Sequence, residues 1–159
     1  MLIRDYDPTR DLEPCLAIWR RASEVGHPFI DAADLDADAA LVREHYMPAA
    51  AIRVGELEGR PMGFIALLDS LIGGLFVDPA AHGQGIGRSL VLDARTRHPV
   101  LDVEVYEANA GARAFYARLG FREAGRRQTD DQGRPLPLLR LRLEAARGER
   151  TAQATGPNP

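Results

Sequence analysis

Apolar residues change their spacing several times along the chain, and each change marks an element. Leu2 to Tyr6 is a short apolar strand, and Asp7-Pro8 reads as a helix N-cap followed by a first helical residue. Leu12, Cys15, Leu16, Trp19 and Ala22 recur at helical spacing, which predicts a helix to about Val25, ended by Gly26-His27-Pro28. Asp31 opens a second helix with Leu35, Ala39, Val42 and Tyr46 on one face, ending before Pro48. The period then shifts to that of strands. Ala51–Leu57, Met62–Leu68 and Leu71–Val77 form three, with Glu58-Gly59-Arg60-Pro61 as a turn and Asp78-Pro79 closing the third. Gly83–Arg97 begins in glycine and continues as a helix with Ile86, Leu90 and Ala94 in register. Val100–Tyr106 is a strand. Asn109 caps a helix through Leu119 that Gly120 ends. Phe121–Arg126 and Leu136–Leu143 are strands joined by the polar hairpin Asp130-Asp131-Gln132-Gly133.

This order predicts an antiparallel meander over residues 51–77, followed by a strand–helix–strand unit that requires a parallel neighbour. The fold class is therefore α/β with a mixed sheet and helices on both faces. Residues 1–145 read as one domain, and the polar residues from Ala146 to Pro159 as a flexible tail.

Composition narrows the partners. The chain has 159 residues, 45% of them hydrophobic and 27% charged, as in an ordinary globular domain. A net charge of -3 argues against a nucleic-acid partner. No apolar run approaches a membrane span, and Met1-Leu2-Ile3-Arg4-Asp5 lacks the shape of a signal peptide, so a cytoplasmic protein that is monomeric or a homodimer is expected. Cys15 is the single cysteine and sits among apolar helical positions, as a small buried side chain would. Every basic residue is arginine, which excludes Schiff-base chemistry and a Walker-type phosphate lysine. No spacing of histidines, cysteines or carboxylates suggests a metal site.

The segment with chemistry in it is Leu75–Ser89, where a strand gives way to a short loop and to a helix opening with Gly83, Gly85 and Gly87. Glycine admits positive φ and lets a ligand approach the backbone closely. The first turn of a helix adds unpaired N–H groups and a partial positive charge, so the segment suits a pyrophosphate. It is not a Walker loop. The dinucleotide pattern fails as well, since its third glycine would fall on Arg88 or on Leu90.

His82-Gly83-Gln84-Gly85-Ile86-Gly87 resembles the acetyl-CoA signature of the GNAT N-acetyltransferases, Arg/Gln-x-x-Gly-x-Gly/Ala, with His82 where that family carries Arg or Gln. Downstream of one intervening strand, Asn109-Ala110-Gly111-Ala112-Arg113-Ala114-Phe115-Tyr116-Ala117-Arg118-Leu119-Gly120-Phe121 is similar to the family's Asn-x-x-Ala-x-x-Phe-Tyr-x-x-x-Gly-Phe block. The first helix and the stretch Asp130–Leu138 look like those of a branch of small bacterial members. The resemblance implies a mostly antiparallel sheet of six to seven strands with a splayed central parallel pair. It also implies transfer of an acetyl group from acetyl-CoA to an amine, without a metal.

It further implies roles for individual residues. The amides around Gly83, Gln84, Gly85, Gly87 and Arg88 would hold the pyrophosphate, with His82, Arg88 and Ser89 adding side chains. Gly73-Gly74 suggests a bulge that frees the amide near Leu75 as an oxyanion donor, while Phe76 and Val77 present the pantetheine edge. Asn109, Ala112 and Phe115 complete the cofactor wall, and Tyr116 would protonate the departing thiolate. Three residues are candidates for the general base: Glu104, His27 and Asp131. The amine acceptor would meet the first two helices and the late hairpin. The alternatives are a non-catalytic acyl-CoA sensor and a nucleotide-phosphate binder built on the same glycines.

Overall fold

The computed structural model describes residues 1–145, so the expected tail at 146–159 lies outside the described residues. Seven strands form one sheet: β1 (Leu2–Asp5), β2 (Ala51–Leu57), β3 (Arg60–Leu68), β4 (Leu71–Val77), β5 (Leu101–Tyr106), β6 (Arg122–Arg127) and β7 (Leu138–Leu143). Their spatial order is β1-β2-β3-β4-β5-β7-β6. Every neighbouring pair is antiparallel except β4 and β5, which run parallel and pair only at Leu71↔Asp102 and Ile72↔Val103. Beyond that short contact the two strands part, and the sheet is open along the C-terminal half of β4.

Helices cover both faces. On one side lie α1 (Pro8–Gly26), α2 (Ala32–Leu41) and α3 (Met47–Ala49), and on the other α4 (Ile86–Arg95) and α5 (Ala110–Arg118). Each face has its own core. Ile18, Trp19, Val54 and Phe64 belong to the first, and Ile65, Ile86, Leu90, Leu101 and Val103 to the second. The start of α1 is fixed by the Asp7 side chain accepting from the Thr9 amide. Asp11, fully buried, accepts two hydrogen bonds from Arg4 of β1 at 2.7 and 2.8 Å and locks that helix to the sheet edge.

Several boundaries differ from those expected. The second helical stretch runs past Pro48 to Ala49, through a π turn at Val42–Tyr46. There the Met47 amide reaches back to the Val42 carbonyl, and this wider turn lets the proline ring follow without striking the preceding coil. The glycine segment is helical only from Ile86, because Gly83 and Gly85 have φ of +81° and +82° and cannot belong to a right-handed helix. Phe121 ends α5 instead of starting β6. Its amide bonds the Tyr116 carbonyl (3.0 Å) and that of Gly120 bonds Ala117 (3.0 Å), a Schellman closure with Gly120 at φ +98°. The last strand starts at Leu138, since Pro135 and Pro137 have no amide for the ladder.

Candidate active site

The parting of β4 from β5 leaves backbone groups without a strand partner. Asp78 donates to the Met62 carbonyl (2.7 Å), which makes Gly63↔Val77 a non-hydrogen-bonded pair of the β3–β4 ladder. The N–H and C=O of Val77, and by alternation those of Leu75, therefore point away from β3 into the gap. A register shift in the β3–β4 ladder falls between Ala66 and Leu67 and leaves Gly73 as the extra residue. Gly74 is small for another reason: a Cβ there would lie 2.6 Å from the ring of Phe76. Phe76 lies on the face opposite Leu75 and Val77 and packs on Phe64.

The glycine turn closes one end of the gap. Ser89 is the first residue of the α4 turn whose amide returns to a carbonyl, that of Gly85 at 3.0 Å, so the N–H groups of Ile86, Gly87 and Arg88 are free first-turn donors. A Cβ on Gly83 or Gly85 would meet nothing within 4 Å, so this face of the turn is open. Gly87 is different. A Cβ there would sit 3.1 Å from the Phe115 ring, so this glycine lets α4 and α5 close together beside the site. Asp78 buttresses the turn from behind by capping the Ala80 amide (3.0 Å) and receiving Arg21 of α1 (2.6 Å). Burial works against its charge, but the Ala80 amide and Arg21 hold its carboxyl below the usual range. His82 is exposed and folds back so that its Nε2 lies 3.1 Å from the Val77 carbonyl.

A cleft of about 1060 Å³ runs from the glycine turn through the gap to the α1–α2 face. His27, Leu75, Phe76, Val77, His82, Gly83, Gly85, Gly87, Arg88, Glu104, Asn109, Ala112, Phe115, Tyr116 and Asp131 all line it. Gln84 and Ser89 do not. Asn109 caps α5 by accepting from the Ala112 amide (3.0 Å). Tyr116 is 4% exposed, with its ring edge-on to Phe115 and Phe121, and burial raises its phenol well above the ordinary value. No residue among those described hydrogen-bonds its hydroxyl.

The three base candidates stand differently. Burial and the nearby Arg134 charge push His27 down to about 4, so its ring is neutral at physiological pH, edge-on to Tyr106 at 4.8 Å. The Glu104 carboxylate is gripped by both nitrogens of the Arg127 fork (2.7 and 3.0 Å), and Asp131 shares the same arginine (2.8 Å). Two side chains not singled out from sequence, Tyr106 and Arg134, complete this end: Tyr106 donates to Asp130 (2.9 Å), and Arg134 joins Asp130 to Asp38 of α2. An aspartate four residues before an arginine across Gly133 was the only local trace of that cluster.

Known proteins resemble this chain in sequence and in fold. Residues 48–123 match the family model described as an acetyltransferase (GNAT) domain. The chain is 39% identical over 130 residues to the peptidyl-lysine N-acetyltransferase YjaB of Salmonella typhimurium, covering 81% of this chain and 89% of that protein. It is 36% identical over 112 residues to the peptidyl-lysine N-acetyltransferase YiaC of Escherichia coli, covering 70% and 77%. The solution structure of the apo form of YjaB from Escherichia coli superposes with a TM-score of 0.83 at 36% identity, over 91% of this chain and 98% of that one. The chain belongs to the GNAT family and is an acetyltransferase.

Proposed function

We propose that this enzyme transfers the acetyl group of acetyl-CoA to a lysine amine presented by a peptide or protein, with Tyr116 as general acid. The observation that carries the reading is the open edge of β4. Backbone groups of Leu75 and Val77 without a strand partner, the Val77 carbonyl meeting only the exposed His82 ring, lie next to free first-turn amides of α4, one row suited to the amides of pantetheine and the other to a pyrophosphate. The charges along the cleft support the direction of entry. Arg88 and Arg118 line it near the α4–α5 end, while Asp38, Glu104, Asp130 and Asp131 line the other. An anionic cofactor and a cationic amine are thereby drawn to opposite ends. The lysine acceptor rests on what the relatives YjaB and YiaC are named for.

In this mechanism the acetyl carbonyl lies near Leu75, whose amide stabilises the oxyanion of the tetrahedral intermediate. The amine nitrogen forms a bond to the carbonyl carbon, and the C–S bond breaks as that intermediate collapses. The phenol of Tyr116 gives its proton to the departing sulfur. A hydroxyl without another partner and with a raised pKa is held in the protonated form that this step needs. In this reading Glu104, a carboxylate of the cleft wall oriented by the Arg127 fork, takes the proton of the amine. His27, kept neutral, is suited to accept a hydrogen bond from the amine.

The test is release of free thiol from acetyl-CoA with an N-terminally blocked lysine peptide, alongside free amino acids, polyamines and aminoglycosides. Acetylation of the lysine peptide above the small amines is the expected result. Turnover confined to a small amine would remove the lysine assignment while keeping the cofactor reading. Binding of acetyl-CoA with no amine-dependent thiol release would point to a sensor.

A further inference from the structure

The β6–β7 hairpin is tied to the rest of the molecule by a side chain that does not itself line the cleft. Nε of Arg134 donates to Asp130 Oδ2 at 2.6 Å. Its Nη2 donates to Asp38 Oδ2 on α2 (2.9 Å), to the Tyr106 hydroxyl on β5 (3.3 Å) and to Gln132 Oε1 (3.2 Å). Asp38, Tyr106, Asp130 and Gln132 all line the cleft, whereas Arg134 stands behind them. A planar guanidinium with five donors in a fixed fork can set several acceptors at once, and no other side chain can replace it in that geometry.

The turn itself has independent support. Asp130 Oδ1 accepts from the amides of Gln132 (3.1 Å) and Arg134 (2.9 Å), and the Asp130 amide bonds the Arg134 carbonyl (3.1 Å). These bonds use the backbone of residue 134, so they survive loss of its side chain. What the side chain adds is the link from hairpin to α2 and β5. Burial opposes the charge on Asp130, yet the Arg134 guanidinium and amide and the Tyr106 hydroxyl keep its carboxyl below the usual range.

We infer that Arg134 is a positioning residue for the acceptor amine: it holds Asp38, Tyr106 and Asp130 as one wall of the acceptor end, without touching either substrate. The inference rests on the proposed assignment of this end of the cleft to the acceptor. It also concerns the charge the amine meets. Arg134 is shared by Asp38 and Asp130, and Arg127 by Glu104 and Asp131, so the wall keeps an acidic excess that suits an approaching ammonium. Without the guanidinium, Asp38 and Asp130 repel each other and the wall opens.

Steady-state kinetics of R134A and R134K with acetyl-CoA and the blocked lysine peptide test this. For R134A, KM for the peptide is expected to rise about tenfold or more, as loss of a charged hydrogen-bond hub implies. KM for acetyl-CoA should stay within about twofold. R134K should fall between wild type and R134A, because an ammonium can hold Asp130 or Asp38 but cannot fork between them. An unchanged peptide KM, or an equal rise in both KM values, would overturn the inference. Amide hydrogen exchange supplies a second arm that needs no acceptor. R134A should exchange faster across the hairpin amides and α2 around Asp38, with the β3–β4 amides unaffected. Should the wild type reject the peptide, the lysine reading falls and exchange decides alone; unchanged exchange in R134A would then sink the positioning role.

Discussion

Gly85 separates the cost of an unusual backbone from the cost of a blocked ligand site, provided it is compared with Gly59. The two glycines share a left-handed backbone, with φ of +82° and +76°, and at both a Cβ would meet no atom within 4 Å. Replacing either by alanine therefore adds no clash. Each substitution should cost about 1–2 kcal/mol for placing an L-residue in that region. For a chain of this length that is a fall in Tm of about 2–8 °C, measured by calorimetry without ligand. Binding should divide them. Gly85 is the N-cap of α4, where a methyl group projects into the space proposed for the pyrophosphate, while Gly59 sits in the β2–β3 turn. Losing even one charge-assisted bond to a phosphate costs about 1.5–3 kcal/mol, so Kd for CoA should rise at least about tenfold in Gly85→Ala. Gly59→Ala should leave it within about twofold. Titration calorimetry reads both. Wild-type affinity in Gly85→Ala, or the same loss in Gly59→Ala, would refute the cradle.

Tyr116→Phe should lower turnover by about 10²-fold or more while leaving CoA affinity as it is, since only the proton to the thiolate is removed; stopped assays of thiol release with saturating acetyl-CoA check it. His27 binds protons in the unfolded chain below its ordinary value of 6.5 but in the folded chain only below about 4, so stability is lost as pH falls between those values. Its share has an upper limit of about 3 kcal/mol, and His27→Phe, which preserves the packing on Phe29 and Tyr106, should flatten the urea-denaturation curve over that interval relative to wild type. Cys15 is fully buried, and burial pushes its thiol up to about 12. Iodoacetamide should label it in urea and leave the native protein unlabelled over the same period.

The parts legible in the sequence are those whose physics is local. Gly83 and Gly85, the Asp7-Pro8 cap and the Gly120 terminus each depend on a few adjacent residues, and they stand within a residue or two of where the pattern puts them. The Gly73-Gly74 bulge is of this kind, although Gly74 proves to be small to accommodate the Phe76 ring. The run past Pro48 was hidden because a π turn leaves no mark in apolar spacing. The acceptor wall was hidden because its bonds join residues far apart. Tyr106 and Asp130 are 24 positions apart, and Asp38 and Arg134 are 96, so no window of sequence pairs them. Glu104 could be placed beside the gap from strand alternation alone, but its arginine, 23 residues on, could not.

The central claim is that the opening between β4 and β5, together with the turn before α4, receives acetyl-CoA. Backbone amide shifts in a two-dimensional NMR titration with CoA test it most directly. The largest perturbations are expected at Leu75, Val77 and Gly83 to Ser89. Perturbations absent there, or confined to the separate groove of about 370 Å³ between α5 and β6 around Arg113, Ala117 and Phe121, would contradict it.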